Sequence, residues 1–302
     1  MRRLPLTMGD GWCWFRMLSW LSQAVRVGAQ CELKTIEAGV DAARRKQKCI
    51  FLLVEGSVLV LVEPGVYEEE GLKVDGGQCV SIWRCDRESE SNKKEMAKVE
   101  WESRDEDVLI MRGGSTVSVN GMDMSAVKSE GYDGGGFNCV AAHDGAILSL
   151  ELCDLTCECD LAVVEISNSE TAATISDCCV HDGESGGVGI YDRASATLEN
   201  NTITDNDLSG VHLQKHATAT LTGNTIKGNG QCKIEQPEEE LAGWPEEVST
   251  LYRSPAGFPG VLVLSDSTVT MPPGSNTIEG NGKVGSSREQ VMVDETSRLE
   301  VT

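Results

Sequence analysis

The segment LENNTITDN, residues 198–206, decides the fold, because it can be laid over LTGNTIKGN at 221–229 and SNTIEGN at 275–281. Equivalent residues of the first two segments are 23 positions apart. A fixed period of this length with Asn at set positions is typical of a solenoid. In a solenoid each repeat is stable only when it is stacked against its neighbours.

Apolar residues alternate with polar residues or glycine inside each repeat. In the clearest repeat Val188, Ile190, Leu198 and Ile203 are apolar. A period of two predicts strands with one buried face, and the short runs between Gly, Asn and Asp do not suit helices. Stacking such strands pairs each coil with the next. We therefore predict an all-β protein, a parallel β-helix.

The register extends along the chain in both directions. Each later coil opens at an equivalent valine, namely Val188, Val211, Val261 and Val291. One interruption, residues 231–260, separates two of these coils, and we expect it to loop out of the stack. The chain stops at LEVT (299–302), partway into a coil. Open strand edges there predict end-to-end association.

Two sets of equivalent asparagines mark the expected corners. One set is Asn201, Asn224 and Asn276, and the other is Asn206, Asn229 and Asn281. Asparagine tolerates the left-handed backbone that a sharp corner needs, and stacked amides can hydrogen-bond along the axis. We predict two structural ladders at these positions.

Cysteines crowd into two adjacent coils, at Cys153, Cys157, Cys159, Cys178 and Cys179. Their spacing is not that of a zinc ribbon or finger, and a disulfide requires an oxidising compartment. Cys153 and Cys178 occupy aligned positions, which favours stacked buried residues over either alternative. We expect neither a metal nor another cofactor.

The formal net charge of −22 over 302 residues limits the possible partners. It argues against nucleic acid, whose binding depends on Lys and Arg. It also argues against polyanionic sugars, unless calcium bridges the two surfaces. Neutral glycans and basic protein partners remain compatible with the charge. A role in solubility alone is the alternative.

Outside the repeats the sequence divides into a terminal segment and two insertions. Residues 1–30 predict an amphipathic or targeting segment, and residues 31–302 the β-helix with insertions at 86–107 and 231–260. The charged, aperiodic segment 86–107 predicts an exposed excursion. Nothing approaches the length of a membrane span. We favour a cytoplasmic location over secretion.

Corner aspartates are the candidate catalytic residues. Asp182 and Asp205 align one coil apart, so strand spacing would place them about 5 Å from each other, and Asp207 lies nearby. Paired carboxylates suit sugar hydrolysis. Corner aspartates are also common for turn chemistry alone, which is the interpretation we favour.

Candidate binding residues lie on the coils and on one insertion. On the coils they are Tyr191, Asp192, His212 and His216, and in 231–260 Trp244 stands among acidic residues. The histidines of the chain are scattered, and spacing reveals no Ser or Cys partner for them.

LKTIEAGVDAA (33–43) followed by VLVEPGVYEE (60–69) resembles the entry segment of the pectin-lyase-like superfamily. The resemblance implies a right-handed parallel β-helix with an N-terminal capping helix. The coils at 187–230 are most similar to repeats of F-box-only-type adaptors and of the group named for carbohydrate-binding proteins and sugar hydrolases. No F-box is visible, and the Asn-Thr-Asp, Asp-Asp and Gly-His-Gly motifs of the hydrolase branch are missing.

These observations predict a non-catalytic scaffold that binds protein partners or neutral glycans. The alternative is a carbohydrate-active enzyme, a divergent polysaccharide hydrolase or lyase. The fold itself does not choose, because this scaffold hosts lyases, hydrolases, esterases, epimerases and binders.

Overall fold

A computed structural model describes residues 25–27, 38, 57–62, 65–68, 71–84, 99–231, 246–254, 256–283 and 290–302. The chain winds through three parallel sheets, and most coils contribute one strand to each sheet. Sequential coils are neighbours in every sheet, which is the architecture of a right-handed parallel β-helix. No helix among these residues is long and apolar enough to cross a membrane.

Strands stack in chain order within each sheet. Sheet 1 contains β1 (Val25–Val27), β2 (Ser57–Val62), β5 (Cys79–Arg84), β8 (Thr116–Asn120), β11 (Ile147–Glu151), β14 (Ala172–Ser176), β17 (Ser195–Glu199), β20 (Thr218–Thr222), β23 (Thr268–Thr270) and β26 (Arg298–Glu300). Sheet 2 contains β3 (Gly65–Glu68), β6 (Val99–Arg104), β9 (Asp123–Val127), β12 (Asp154–Cys157), β15 (Cys179–His181), β18 (Thr202–Thr204), β21 (Thr225–Lys227) and β24 (Thr277–Glu279). Sheet 3 contains β4 (Leu72–Val74), β7 (Leu109–Met111), β10 (Val140–Ala142), β13 (Val164–Ile166), β16 (Val188–Tyr191), β19 (Val211–Gln214), β22 (Val261–Val263) and β25 (Val291–Val293).

Inward-facing residues form columns along the axis of the helix. In sheet 1, one column consists of paired residues from five successive coils, Val119, Leu150, Ile175, Leu198 and Leu221. All five are fully buried. Burying a side chain of this size contributes about 2 kcal/mol. Because each strand has only one apolar side, this burial depends on the adjacent coils being in register.

The register predicted from the valines is confirmed. Val211 pairs with Val188 on one side and with Val261 on the other, so the stack continues across the interruption. Between β21 and β22, the described residues of the interruption 231–260 include helix α1 (Glu246–Arg253). This segment does not simply loop out, because part of it returns to the outer face of sheet 3. Its contacts there form a buried apolar cluster of Leu251, Phe258, Leu262 and Leu264.

Within the predicted amphipathic or targeting segment, residues Val25–Val27 form β1 and pair in parallel with β2. Residues 1–24, with the rest of the predicted amphipathic face, lie outside the described residues. Within the predicted capping helix at 33–43 only Ala38 is described, and it is helical.

The prediction of one exposed excursion over 86–107 is wrong for β6. Val99, Trp101 and Ser103 point inward and are buried, while the charged residues between them face outward. This strand is difficult to recognise in the sequence, because the charged residues on its outer face make the segment look polar throughout. The preceding part of the segment lies outside the described residues.

Two asparagine ladders run along the corners. The Nδ2 of Asn201 donates to the Oδ1 of Asn224, and the Nδ2 of Asn224 donates to the Oδ1 of Asn276, each at 3.0 Å. Each Oδ1 also accepts the backbone N–H of the preceding ladder residue at 2.9 Å. The second corner repeats these contacts through Asn206, Asn229 and Asn281.

The left-handed residue at each corner precedes the ladder asparagine, which differs from the prediction. At the first corner it is Asp177, Asn200 or Gly223, with φ of 53°, 56° and 72°. The exposed residue therefore makes the bend, and the following residue turns inward. The buried amide side chains then form hydrogen bonds with the backbone groups that the bend has left without partners in a neighbouring strand.

Cys153 and Cys178 extend the first ladder, and their predicted stacking is confirmed. The N–H of Cys178 donates to the Oδ1 of Asn201 at 2.9 Å, and the N–H of Cys153 donates to the Sγ of Cys178 at 3.4 Å. Both thiols are free and buried. Sulfur therefore takes the acceptor place of the amide oxygen in this part of the ladder.

Asn201→Leu should lower the free energy of unfolding by about 2–4 kcal/mol, because the buried N–H of Cys178 and C=O of Ile175 lose their partner. Urea denaturation followed by circular dichroism measures the loss. Asn200→Gly is the matched control at the adjacent exposed, left-handed position, and should change stability by less than about 0.5 kcal/mol. Equal losses in the two variants would contradict the ladder's role.

Candidate functional site

The predicted catalytic aspartates are corner residues. Asp182 and Asp205 have φ of 51° and 56°, and Gly228 takes the same place in the next coil with φ of 71°. Glycine at the equivalent position shows that the corner needs this conformation and not a carboxylate. Asp207 is buried, and its N–H donates to the carbonyl of Gly183 at 2.9 Å. None of these three carboxylates lines the cavity described below.

His181 is held between two carboxylates on the outer face of sheet 2. Its Nδ1 lies 2.7 Å from the Oδ2 of Asp182, and its Nε2 lies 2.5 Å from the Oδ1 of Asp154. Partial burial disfavours the charged ring, but the two hydrogen-bonded carboxylates outweigh it and raise the pKa of His181. Asp182 thus belongs to a local ion-pair network.

Tyr191 and His212 are brought together on the outer face of sheet 3. Their rings meet edge to face, with centroids 5.4 Å apart. The Nε2 of His212 is buried and has no hydrogen-bond partner among the described residues. Burial lowers the pKa of His212 to about 4, so the ring is neutral at physiological pH. Gly189 leaves room for the Tyr191 ring in this position, because an added Cβ would lie 2.4 Å from the hydroxyl of Tyr191.

Asp192 and His216 do not join this pair. Each lies in an exposed or half-buried turn, with φ of 53° and 63°. Asp192 forms a salt bridge with Lys215 at 3.3 Å, and His216 approaches Asp266 at 3.9 Å. Trp244 lies outside the described residues.

The outer face of sheet 3 carries the most varied chemistry of the solenoid. Strand register places two columns of side chains on this face, one at the middle of each strand and one just after its end. The second column reads, from coil to coil, Asp75, Arg112, His143, Ser167, Tyr191 and Gln214. No residue type repeats among these six residues, in contrast to the asparagine ladders. Stacking therefore does not explain these side chains.

A cavity of about 420 Å³ opens at the N-terminal part of this face. It is lined by Lys73, Asp75, Asp105, Glu106, Asp107, Ile110, Arg112, Tyr132, Gly136 and Phe137. Four carboxylates and two basic groups thus surround a space of the size typical of small-ligand sites. We name it the sheet 3 pocket.

The three consecutive acids of the pocket follow β6 directly and are fixed by backbone donors. Hydrogen bonds from Ser129 lower the pKa of Asp105, and the Ser129 N–H lies 2.8 Å from its Oδ1. Burial raises the pKa of Asp107, despite a 2.6 Å hydrogen bond from the N–H of Asn138. Asp105 therefore ionises more readily than an ordinary aspartate, and Asp107 ionises less readily.

Aromatic and basic side chains complete the pocket. Tyr132 and Phe137 pack edge to face, with centroids 5.9 Å apart. Lys73 lies 3.7 Å from Glu106, whose other oxygen accepts the N–H of Gly71. The pocket can thus donate and accept hydrogen bonds while presenting an aromatic edge.

His143, Ser167 and Glu165 form a second cluster on the same face. The Nδ1 of His143 is 2.6 Å from the Oγ of Ser167 and 3.8 Å from the Oε1 of Glu165. Sequence spacing reveals no serine partner for any histidine, but in the structure His143 has one. His143 and Ser167 are 24 positions apart in the sequence, and only the stacking of successive coils brings them together.

Sequence reasoning missed the pocket because half of it lies in segments interpreted as loops. Asp105, Glu106 and Asp107 fell inside the predicted excursion, and Tyr132 precedes a glycine run. The available signal was the alternation VEWES at 99–103, which predicts a strand ending just before three acids.

Metal binding finds no support in the ranges that the structure covers. Groups of three or more His, Cys, Asp or Glu with suitable geometry do not occur there. Cys157 is buried, which raises the pKa of its thiol and disfavours a thiolate ligand.

His181→Gln should change the pH dependence of stability. A raised pKa means that the charged ring contributes stability below its unfolded pKa of about 6.5. That contribution is lost as the pH rises through the folded pKa. Wild-type protein should therefore lose its advantage over the variant at high pH, as measured by urea midpoints across the range. Thr202→Ala, at an exposed position of the same sheet that does not titrate, should leave the profile unchanged. A His181→Gln profile parallel to that of the wild type would exclude the network.

A match to one family model supports the fold. The family described as the right handed beta helix region matches residues 162–240. A search among curated proteins returned no match. Pectin methylesterase from Aspergillus niger, in deglycosylated form, is similar over 92% of this chain and 84% of its own, with 11% identity and a TM-score of 0.48. The A-module of mannuronan C-5 epimerase AlgE4 from Azotobacter vinelandii is similar over 87% of this chain and 68% of its own, with 16% identity and a TM-score of 0.29.

Such distant likenesses indicate nothing about activity, and the predicted closer resemblance to adaptors and sugar hydrolases stays a prediction. The three parallel sheets and the matched segment identify the chain as a right-handed parallel β-helix protein.

Proposed function

We propose that this β-helix is a binding scaffold that holds a neutral saccharide in the sheet 3 pocket. The observation that carries the proposal is the pocket itself, in which charged groups and an aromatic pair surround about 420 Å³. Ligand sites combine such a concave space with a few fixed polar groups.

Saccharide chemistry matches the lining. Sugar hydroxyls donate to carboxylates such as Asp75 and Glu106 and accept from Lys73 and Arg112. The C–H side of a sugar ring can pack against Tyr132. Four carboxylates against two basic groups disfavour polyanionic sugars, as does the net charge of −22.

Arg112→Ala and Tyr132→Ala should each weaken saccharide binding about tenfold, equivalent to about 1.4 kcal/mol. A glycan array identifies the ligand, and calorimetry measures its affinity. Thr197→Ala, on the outer face of sheet 1, should bind like the wild type. Binding that is unaffected by both pocket variants would move the site elsewhere. A protein captured in place of any glycan would favour the other class of partner.

A second candidate function is cleavage of the bound glycan. The observation that favours it is the opposite shift of two carboxyl groups in one pocket, with the pKa of Asp105 lowered and that of Asp107 raised. Such separation is typical of a carboxylate and a general acid acting together.

Asp107→Asn should reduce glycan cleavage at least 100-fold if Asp107 supplies a proton. Wild-type activity should fall as the pH rises through the raised pKa of Asp107, because the acid form is lost. Release of reducing ends from the glycan found on the array measures this. Asp182→Asn, at a corner, is the control. A wild-type protein that binds the glycan and releases no reducing ends would leave the scaffold function alone standing.

A further inference from the structure

His143 and Ser167 occupy equivalent positions in successive coils, each directly after its strand in sheet 3. Register fixes them, because Ala142 pairs with Ile166 one residue earlier. Their side chains are hydrogen-bonded, with the Nδ1 of His143 2.6 Å from the Oγ of Ser167. A histidine within hydrogen-bond distance of a serine hydroxyl can act as the base that activates this hydroxyl as a nucleophile.

Repetition does not account for this pair. The asparagine ladders reuse one residue type because each coil poses the same backbone problem. The column that holds His143 and Ser167 continues instead with Arg112 on one side and Tyr191 on the other. The backbone of neighbouring coils is thus satisfied without a His–Ser contact.

Acidic groups adjoin the imidazole. The Oε1 of Glu165 is 3.8 Å from Nδ1, and Asp107 interacts electrostatically with the ring. A carboxylate near the base stabilises the imidazolium that forms when the base takes a proton. Asp107 and Arg112 line the sheet 3 pocket, and Arg112 occupies the position equivalent to His143 in the preceding coil, so His143 lies one coil from the space assigned to the saccharide.

The hydroxyl of Ser167 is nearly covered, since the residue is only 6% exposed. This excludes a bulky acyl group and restricts the substrate to a small one. An acetyl ester carried by a saccharide in the adjoining pocket meets that restriction. Arg112 and Tyr191, on the two flanking coils, carry donors suited to a developing oxyanion.

We infer that Ser167 and His143 form an acyl-transfer site that removes small acyl groups, such as acetyl, from a saccharide. That a saccharide carries the acyl group rests on the proposed function. The Oγ of Ser167 attacks the ester carbonyl while its proton passes to the Nδ1 of His143. The carbonyl carbon then releases the sugar oxygen, which takes that proton. The products are acetyl-Ser167 and a free sugar hydroxyl.

Water completes the cycle. It gives a proton to Nδ1 and attacks the acetyl carbon, and the bond from that carbon to Oγ breaks. The serine recovers the proton, and acetic acid leaves. No metal, oxidant or reductant takes part in either half.

The test uses the full chain with 4-nitrophenyl acetate, followed by intact mass and peptide mapping. We expect one acetyl group on Ser167 and release of nitrophenol that Ser167→Ala and His143→Ala each reduce about 100-fold or more. Ser167→Cys should still be acetylated, because its thiol is a nucleophile, and this variant shows that loss in Ser167→Ala is not misfolding. Ser149→Ala, on sheet 1, should match the wild type.

Two results would overturn the inference. One is acetyl groups only on lysines or other residues, and the other is unchanged nitrophenol release by Ser167→Ala. Saccharide binding is measured separately on Ser167→Ala by calorimetry. Retained binding without acylation of the wild type would remove the acyl-transfer site and leave the proposed binding function intact. Loss of binding in wild type and variant alike would remove the proposed function.

Discussion

The backbone at each corner sets the main constraint on this protein. Strand pairing satisfies the chain inside the sheets, but a sharp bend takes buried N–H and C=O groups out of that pattern. The ladder solves this by borrowing an acceptor from the next coil, as when the N–H of Asn201 meets the Oδ1 of Asn224. Because each coil depends on its neighbour for this bond, the ladder ties the register of all three sheets together.

The corner requires a buried hydrogen-bond acceptor, but it does not require one particular residue type. Cys178 offers sulfur where Asn201 offers oxygen, and the same corner is closed in both coils. The twenty-odd residue period likewise tolerates a long insertion, provided that Val261 returns to pair with Val211. Inner positions and corners are therefore restricted, whereas outer positions are free to differ.

This division explains what the sequence could predict. Period, strand alternation and corner asparagines all follow from the inside of the solenoid, so the fold and the ladder at 201, 224 and 276 were accessible. The left-handed position was misplaced by one residue, since bend and ladder are adjacent and Asn occurs at both, as in Asn200 and Asn201. Strand β6 was missed because its outer face is charged. Outward-facing residues do not repeat from coil to coil, so the sequence offers no periodic pattern from which an outer face could be inferred.

The candidate site could not be predicted for the same reason. Its groups come from coils that share no sequence motif, and His143 meets Ser167 only through the spacing of stacked strands. The sequence could predict neither the contact between His143 and Ser167 nor the burial of the site residues. Both depend on which outward-facing residues become neighbours when the coils stack. Local signals pointed to corner aspartates, which the structure explains by the backbone.

A solenoid also supplies what a site of this kind needs. His143 and Ser167 directly follow paired strands, and this pairing limits the movement of the residues that carry them. On sheet 3 one end of the outer face is closed by the apolar cluster around Leu262, and the other end opens into the pocket. The open space on this face therefore lies at the coils that begin the varied column. The rigid interior fixes the distances, and the unconstrained exterior supplies the chemistry, so binding and reaction can share a face without disturbing the fold.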